Sequence, residues 1–238
     1  MLNFLRPMFN YQLVDLTIRG LINLVISNPY IYRKKVFASH YNTAFTVHLN
    51  SILQKSKTKT NQVRINAGIW RSRLLKFPDV EGLRPTPDRV RQTVFNWLGQ
   101  DLTGKTCLDL FAGTGAMGFE ALSRNAKSVT MIESANIAFK ALKQNQELLN
   151  AQNCQILNID ALQFLASNTQ KFDVIFCDPP YQKGWLAKLL PLLHAHLNTD
   201  GVVYAEAEYA LSTDAHWQVA KHGKAGNVYY HLLKSALK

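Results

Sequence analysis

The chain has few acidic residues, few cysteines and no long apolar run. Its 238 residues include 16 Asp and Glu against 27 Lys and Arg, which gives a formal net charge of +11. The three cysteines, at positions 107, 154 and 177, lack the paired spacing of a zinc site. The run from Leu21 to Ile26 is too short to span a bilayer. We therefore expect reduced thiols, no metal, no membrane attachment and a cytoplasmic protein.

The excess of positive charge lies unevenly along the chain. Residues 1–60 hold eight of the basic residues and one acidic residue, while the rest of the chain holds 19 and 15. This first segment has no motif and no clean helical or strand period. We interpret residues 1–60 as an uncertain leader, either disordered or produced by a mis-assigned translation start, with a mobile RNA-binding leader as the alternative. Nucleic-acid binding must therefore be argued from local arginines rather than from net charge.

Residues 106–124 predict a nucleotide-type cradle. They read TCLDLFAGTGAMGFEALSR, a short apolar strand followed by a glycine-rich turn and a helix. Gly113 and Gly115 allow positive φ and close approach of a ligand, and Gly118 allows the helix to pack closely on the sheet. Glu133 ends the next predicted strand 20 positions after Gly113, the spacing at which an acidic side chain meets ribose hydroxyls. To this point the pattern suits NAD equally well.

Acidic residues at two further strand ends favour S-adenosylmethionine. Asp109 lies just before the glycine turn, where its carboxylate can meet an amino-acid ammonium, a group that NAD lacks. Asp160 closes a third strand, where it can accept from an adenine amino group or, alternatively, serve as a helix N-cap. The carboxyl ends of the strands should converge in one crevice. The predicted cofactor site comprises Asp109, Phe111, Ala112, Gly113, Thr114, Gly115, Gly118, Glu133, Asp160 and Ala161.

The tetrapeptide Asp178-Pro179-Pro180-Tyr181 follows the apolar run 174–177 and predicts an amine-methylating site. An exocyclic amine on a nucleobase is a poor nucleophile because its lone pair is delocalised into the ring. A catalyst must therefore hold the nitrogen with acceptors, which Asp178 and a backbone carbonyl of the turn would supply. The prolines stiffen the turn, and Tyr181 offers a flat face to a splayed-out base. We predict all four residues as catalytic; an ordinary strand-ending turn is the alternative.

Two stretches before the glycine motif predict an RNA-contacting region. Residues 63–75 favour a hairpin that carries three arginines beside an aromatic, a combination suited to RNA backbone and stacked bases. In the helix predicted after residue 84, Thr86 is the cap, Pro87 takes the first position and Asp88 suits the positive end. Arg89 and Arg91 lie off its apolar stripe and are expected to face a polyanion or solvent. The predicted RNA-binding residues are Arg64, Trp70, Arg71, Arg73, Arg84 and Arg89.

Three stretches taken together resemble one family. They are RINAGIWRSR at 64–73, GLRPTPDRVRQTVFNWL at 82–98, and LDLFAGTGAMGFEALSR together with DPPY. From about Val63 to the C terminus the chain resembles the RsmD family of bacterial 16S rRNA guanine-N2 methyltransferases, within the class I, Rossmann-like S-adenosylmethionine-dependent methyltransferases. Asn66, Ala67 and Pro87 depart from the usual family residues, away from the proposed chemistry.

The resemblance implies direct methyl transfer to the exocyclic N2 amine of one guanine in 16S rRNA, on assembled small subunits, by a monomer. An adenine-N6 methyltransferase acting on DNA or RNA would use the same tetrapeptide and is the main alternative. A protein-glutamine methyltransferase would normally carry Asn at position 178, and a non-catalytic binder would be expected to have lost Asp178 or the glycines. An NAD enzyme leaves the tetrapeptide unused.

The predicted fold is α/β, mostly as the resemblance implies: a Rossmann-like sheet with helices on both faces, a terminal antiparallel strand pair and a small N-terminal hairpin and helix lobe. The lobe spans 61–101 and the methyltransferase domain 102–238. The pattern predicts helices at 135–149, 161–166 and 185–197, and strands at 128–132, 155–159, 172–177 and 201–206. The terminal pair is expected at 216–220 and 227–233, turning through Gly223 and Gly226. Glu206 and Glu208 could approach the pocket, but a solvated strand end outside the site is the favoured interpretation.

Overall fold

The computed structural model describes residues 60–80, 83–181 and 183–236; residues 1–59 of the predicted leader lie outside these ranges, and its last residue, Thr60, begins the first strand. Nine strands lie within them: β1 Thr60–Arg64, β2 Leu74–Pro78, β3 Thr106–Asp109, β4 Ser128–Ile132, β5 Cys154–Leu157, β6 Phe172–Cys177, β7 Leu197–Ala207, β8 Trp217–Ala225 and β9 Val228–Ser235. The α-helices of the same ranges are α1 Asp88–Leu98, α2 Ala116–Ser123, α3 Asn136–Leu149, α4 Ala161–Ser167 and α5 Trp185–Leu193. None of these helices is long and apolar enough to cross a bilayer.

Seven strands form the central sheet, in the order β5-β4-β3-β6-β7-β9-β8. The first five of that order run parallel, and β9 and β8 are antiparallel additions at one edge. The predicted α/β class, the mostly parallel sheet and the terminal antiparallel pair are confirmed. The order also places β3 and β6 side by side, which brings the glycine-rich turn next to the turn after β6.

Alternate residues of the central strands pack on opposite faces of the sheet, as period-2 side chains require. Cys107 and Phe176 lie in the buried cluster that includes residues of α1, α2 and α3. Leu108 and Cys177 lie in the second cluster, with residues of α4 and α5. Helices therefore cover both faces. The three cysteines are free thiols in this buried interior, and burial raises the pKa of both Cys107 and Cys154 to about 12.

The β1–β2 hairpin is antiparallel, as predicted, and its loop is bound to α2. The Glu120 carboxylate accepts from the backbone amides of Asn66 and Ala67 at 2.7 and 3.0 Å. Ser123 Oγ donates to the Ala67 carbonyl at 2.5 Å and accepts from the Trp70 amide at 2.9 Å. The loop that carries the predicted RNA-binding residues is therefore fixed to the first helix after the glycine turn.

The predicted exposure of Arg91 is wrong. Arg91 is 1% exposed, and its guanidinium donates to the carbonyls of Thr86 at 3.1 Å and Arg64 at 2.5 Å and to Asp88 Oδ1 at 2.7 Å. Residues three and four positions apart share one face of a helix, so Arg91 shares its face with the buried Val94 and Phe95. The arginine therefore ties the start of α1 to the end of β1.

The start of α1 also differs from its prediction. The helix begins at Asp88, Pro87 is the N-cap residue, and the cap makes no side-chain hydrogen bond. Thr86 is buried one residue earlier, and its hydroxyl donates to Asp178 Oδ2 at 3.5 Å. The threonine predicted as a cap thus faces the turn after β6.

The helix predicted at 185–197 is shorter in the structure. It ends at Leu193, a 3-10 turn follows over His194–His196, and β7 begins at Leu197. Pro191 lies in its last turn, and a proline inside a helix removes a backbone donor and weakens the helix there. Leu197 then pairs with Phe172 of β6 and is buried. Strand pairing at Leu197 therefore ends the helical segment earlier than its apolar periodicity predicted.

Gly223 is not part of the turn between the last two strands. It lies within β8 opposite Tyr230, and a Cβ added at Gly223 would lie 2.3 Å from the Tyr230 ring. The glycine therefore leaves room for that ring. Gly226, with φ +60, makes the turn, as predicted.

Candidate active site

Four carboxylates occur at the same edge of the sheet. Asp109 ends β3 and pairs with Met131 of β4 on one side and with Phe176 of β6 on the other. Glu133 directly follows β4, and Asp178 directly follows β6. Asp160 comes three residues after β5, which is parallel to β4. The strand ends therefore lie at one edge of the sheet, as predicted, and a crevice that binds one common ligand there remains a prediction.

The glycine turn has the backbone that the sequence predicts. Gly113 has φ +52 and Gly115 has φ +77, and α2 begins directly afterwards at Ala116. A Cβ at Gly118 would lie 2.4 Å from Met131 Cε, so this glycine allows α2 to pack against β4. The turn is therefore a compact strand-to-helix connection whose glycines cannot carry side chains without displacement.

Glu133 binds the glycine turn directly. Its Oε2 accepts from the Gly113 amide at 2.9 Å, and its Oε1 accepts from the Ala135 amide at 2.7 Å. One carboxylate thus links the turn after β3 to the segment that leads into α3. Glu133 thus lies at the strand end, as its spacing from Gly113 predicted, and its contact with a cofactor ribose remains a prediction.

Asp109 is buried, with 4% exposure, beneath the same turn. Its Oδ2 accepts from the Gly118 amide at 3.0 Å. Burial raises the pKa of Asp109 to about 7; repulsion from Glu133 adds to that rise, and the hydrogen bond from Gly118 opposes it. A carboxylate in this state gains strongly from a nearby cation, because a positive charge favours its ionised form.

Asp160 caps α4, the alternative that the sequence left open. Its Oδ1 accepts from the amides of Leu162 at 2.9 Å and Gln163 at 3.3 Å. Ala161 is the first residue of the helix and is buried. The adenine contact of Asp160 and the cofactor contact of Ala161 both remain predictions.

The other predicted cofactor residues surround the turn. The ring of Phe111 meets Trp185 edge to face at 5.5 Å between centroids. Thr114 is buried, and its Oγ1 accepts from the Ala116 amide at 3.3 Å. The Ala112 amide donates to the carbonyl of Ile132 at the end of β4, at 2.9 Å. The two hydrogen bonds hold the backbone of the turn in place.

The tetrapeptide lies beside this turn. The Leu110 amide donates to the Phe176 carbonyl at 3.0 Å, so the chains that leave β3 and β6 run next to each other. Asp178 is half-buried, Pro179 is buried, and Tyr181 is 41% exposed. The Tyr181 hydroxyl donates to Glu206 Oε2 at 3.0 Å. The ring predicted as a stacking platform is therefore anchored at its hydroxyl end.

Glu206 is not a solvated strand end, and its predicted exclusion from this region is wrong. It is 4% exposed, accepts from Tyr204 Oη at 2.5 Å, and lies near enough to Asp178 for each carboxyl to affect the pKa of the other. The strand runs one residue further than predicted, to Ala207, and pairs with β9, with Tyr230 opposite Glu206. The spacing of two between Tyr204 and Glu206, which puts both side chains on one face of a strand, was the available signal. Glu208 is exposed, as predicted.

Both carboxyls of this pair have raised pKa values. For Asp178 the largest cause is burial, followed by repulsion from Glu206 and Asp109. For Glu206 the cause is burial, which hydrogen bonds from Tyr204, Tyr181 and other neighbours oppose. The two side chains therefore share a buried polar cluster next to the glycine turn.

The predicted RNA-binding residues lie on the hairpin and around α1. Arg64, Arg71, Arg73, Arg84 and Arg89 are exposed, and Trp70 is half-buried against the core. Arg64 Nη1 donates to the Ser72 carbonyl at 3.1 Å, and Arg73 Nη2 donates to the Leu148 carbonyl at 3.2 Å. In the described parts of the chain, no group of three or more His, Cys, Asp and Glu side chains could hold a metal ion.

Comparison with known proteins gives a consistent result. Residues 63–234 match the model of the family described as Conserved hypothetical protein 95. The chain is 41% identical over 178 residues to the Ribosomal RNA small subunit methyltransferase D of Escherichia coli strain K12, across 73% of this chain and 90% of that protein. It is 40% identical over 182 residues to the protein of the same name from Haemophilus influenzae, across 73% and 94%.

A solved structure agrees with the sequence relatives. The Escherichia coli protein yhhF, described as a candidate methyltransferase, superimposes with a TM-score of 0.67 at 39% identity, covering 75% of this chain and all of that one. The similarity thus extends over nearly the whole length of these relatives.

Proposed function

The chain belongs to the RsmD family, and on that premise we propose that it transfers a methyl group from S-adenosylmethionine to the exocyclic N2 amine of one guanine in 16S rRNA. The observation that carries the proposal is the position of Asp178-Pro179-Pro180-Tyr181 directly after β6, beside the glycine turn that follows β3. A methyl donor in the glycine turn and an amine held at Asp178 would be neighbours.

The cofactor supplies the methyl group on its sulfonium, and the residues of the turn would bind and orient it. Asp109 would pair with the amino-acid ammonium, and Glu133 would accept from the ribose hydroxyls. The turn of Gly113 and Gly115 would allow close approach to the backbone. The chemistry of these groups suits the cofactor: a buried carboxyl with a raised pKa is stabilised in its ionised form by a cation.

Asp178 would hold the target amine as a hydrogen-bond acceptor, together with a backbone carbonyl of the proline turn. Direct in-line transfer needs mainly correct placement of nitrogen and methyl carbon. No covalent intermediate is required; Cys177 is buried within the sheet, and burial raises its pKa so that it stays a neutral thiol. The exposed part of the Tyr181 ring would stack on a base drawn out of the RNA.

The hairpin loop and α1 would bind the RNA through Arg64, Trp70, Arg71, Arg73, Arg84 and Arg89. The attachment of the loop to Glu120 and Ser123 supports this role, because it gives the exposed arginines a fixed position relative to the glycine turn. A single small basic surface also fits a substrate that brings further contacts of its own. We therefore propose the assembled small subunit as the substrate, in line with the family.

The Asp178→Ala variant tests the catalytic assignment. Transfer of labelled methyl to unmodified small subunits should fall below detection, while the affinity for S-adenosylmethionine stays within about threefold, because the residues proposed to hold the cofactor are unchanged. The Glu147→Gln variant is the matched control, since Glu147 is an exposed carboxylate on α3. Strong transfer by the Asp178→Ala variant would refute the role of Asp178.

A further inference from the structure

Five polar side chains meet directly behind the proposed amine site. The Glu206 carboxyl is the centre: Tyr204 Oη donates to Oε1 at 2.5 Å, and Tyr181 Oη donates to Oε2 at 3.0 Å. Tyr181 belongs to the same turn as Asp178, so Glu206 is held beside that turn, and the Asp178 and Glu206 carboxyls act on each other's pKa. Asp178 Oδ2 also accepts from Thr86 Oγ1 at 3.5 Å. The cluster joins the loop before α1, the turn after β6 and the end of β7.

If both carboxyls of this cluster were ionised, two negative charges would lie side by side and neither group could donate a hydrogen bond to the other. Two neighbouring carboxyls, one buried and the other half-buried, do not both stay charged at neutral pH, because each repels the other and neither is fully solvated. One proton between the carboxyls of Asp178 and Glu206 removes this conflict and forms the hydrogen bond between them. The raised pKa of both groups agrees with that state.

We propose that Glu206 is a positioning residue for methyl transfer, which shares one proton with Asp178 and thereby orients its carboxyl toward the target amine. The pair then carries a single negative charge. This inference rests on the proposed function, since it assigns Glu206 a role only if Asp178 holds the amine.

The single charge gives the reaction a proton acceptor. In the transfer, the nitrogen lone pair forms the new N–C bond while the C–S electron pair stays on sulfur, so the positive charge moves to the nitrogen. The nitrogen then gives one proton to the singly charged pair, which becomes neutral and later returns that proton to water. The tyrosines remain donors throughout, because burial raises the pKa of both Tyr181 and Tyr204.

Other charged groups act on the same cluster. Asp109 raises the pKa of Asp178 from the side of the glycine turn, and Glu208, exposed directly after β7, raises the pKa of Tyr181. Both are acidic, so neither supplies a positive charge that would let the pair lose its proton. Among the described side chains of this cluster, a proton shared between the two carboxyls is therefore what relieves their repulsion.

The first test needs no substrate. Carbon-13 NMR of protein labelled at Asp and Glu carboxyls should show the pair titrating in two coupled steps, the upper one well above the ordinary carboxyl range. Signals of the pair are assigned by their loss in the Asp178→Asn and Glu206→Gln variants. In the Glu206→Gln protein the upper step should disappear and Asp178 should titrate once. The Glu147→Gln control should leave both steps unchanged. An Asp178 titration that is the same with and without Glu206 would overturn the inference.

The second test separates positioning from mere stability. Glu206→Ala should lower kcat about 100-fold with little change in cofactor affinity, and Glu206→Gln, which imitates the protonated carboxyl, should restore kcat to within about tenfold of the wild type. Equal rates for the two variants, with equal melting temperatures, would contradict positioning. If the unaltered protein fails to methylate small subunits, the proposed function fails, while the NMR titration still decides whether the proton is shared.

Discussion

Glu133 Oε2 accepts the backbone amide of Gly113 at 2.9 Å, so the carboxylate at the end of β4 binds the glycine turn after β3. The 20-residue spacing between the two predicted a common ligand, and the structure adds a direct hydrogen bond between them. A cofactor ribose would thus meet a carboxylate that is already oriented, because both of its oxygens are engaged by backbone amides.

Replacing Glu133 should weaken cofactor binding more than it weakens the fold. Glu133→Ala removes the predicted ribose acceptor and the anchor of Gly113; since hydrogen bonds to charged groups contribute about 1.5–3 kcal/mol, we expect a 10- to 100-fold rise in the Kd for S-adenosylmethionine. Isothermal titration calorimetry measures this directly. Glu147→Gln should leave Kd unchanged, and an unaltered Kd in Glu133→Ala would exclude Glu133 from the cofactor site.

Cofactor affinity should depend on pH through Asp109. Its pKa is raised from 3.8 to about 7, so the carboxyl is protonated below that pH and ionised above it. If the ionised form binds the ammonium, affinity should rise as pH increases from about 5 to about 7, by at most about tenfold per pH unit, and level off above. Calorimetry over this range should show that the Asp109→Asn variant binds S-adenosylmethionine more weakly, with a Kd that does not change with pH. A wild-type Kd that stays constant across the range would contradict the assignment.

The same pKa predicts a stability effect in the cofactor-free protein. Asp109 binds a proton more tightly in the folded state than in the unfolded chain, so its contribution to the free energy of unfolding is present at low pH. That contribution is lost as pH rises through about 7. Urea unfolding at several pH values should show a steeper decline for the wild type than for Asp109→Asn; parallel curves would argue against the raised pKa.

Gly68 holds the hairpin loop against α2, and its replacement should be costly. Gly68 has φ +82, and an added Cβ would lie 1.7 Å from the Ser123 carbonyl oxygen. Gly104 is a matched control, since it has φ +80 and nothing within 4 Å of an added Cβ. Gly104→Ala should cost about 1–2 kcal/mol from backbone strain alone, and Gly68→Ala substantially more. Thermal unfolding measures both; equal losses would show that the contact with Ser123 is not required.

The arginines of the hairpin and α1 should divide into two groups. Arg71→Ala and Arg89→Ala should each weaken binding to small subunits and leave the melting temperature unchanged. Each should also reduce the slope of log affinity against log salt concentration by about 1, the loss of one released counterion. Arg91→Ala should instead destabilise the fold by about 3–5 kcal/mol, because it leaves buried partners unpaired. Filter binding at several salt concentrations and thermal unfolding distinguish the two. A stable Arg91→Ala protein with reduced RNA affinity would reverse this division.

The sequence predicted the strand ends well because each of them combines a short apolar run with an acidic residue. Asp109, Glu133, Asp160 and Asp178 all lie at the expected edge of the sheet. Parallel strands impose this result: once they are recognised, their carboxyl ends must lie together. The glycine turn followed for a similar reason, since positive φ at Gly113 and Gly115 is a local property.

The errors arose where distant residues decide burial. Glu206 looked like a solvated strand end because Tyr181, which donates to its carboxylate, lies 25 residues earlier in the chain. Arg91 looked exposed because its partners include a carbonyl of β1, in a different element of the structure. In both cases at least one partner of the buried polar side chain comes from a distant part of the chain, which a local pattern does not contain.

The most direct test of the central claim is identification of the methylated nucleoside. Small ribosomal subunits lacking the modification are incubated with the protein and labelled S-adenosylmethionine, with naked 16S rRNA and DNA in parallel, and the products are digested and analysed by mass spectrometry. The account predicts N2-methylguanosine in 16S rRNA from subunits, with less from naked rRNA and none from DNA. N6-methyladenine in DNA or RNA, or no transfer to any of the three, would contradict it.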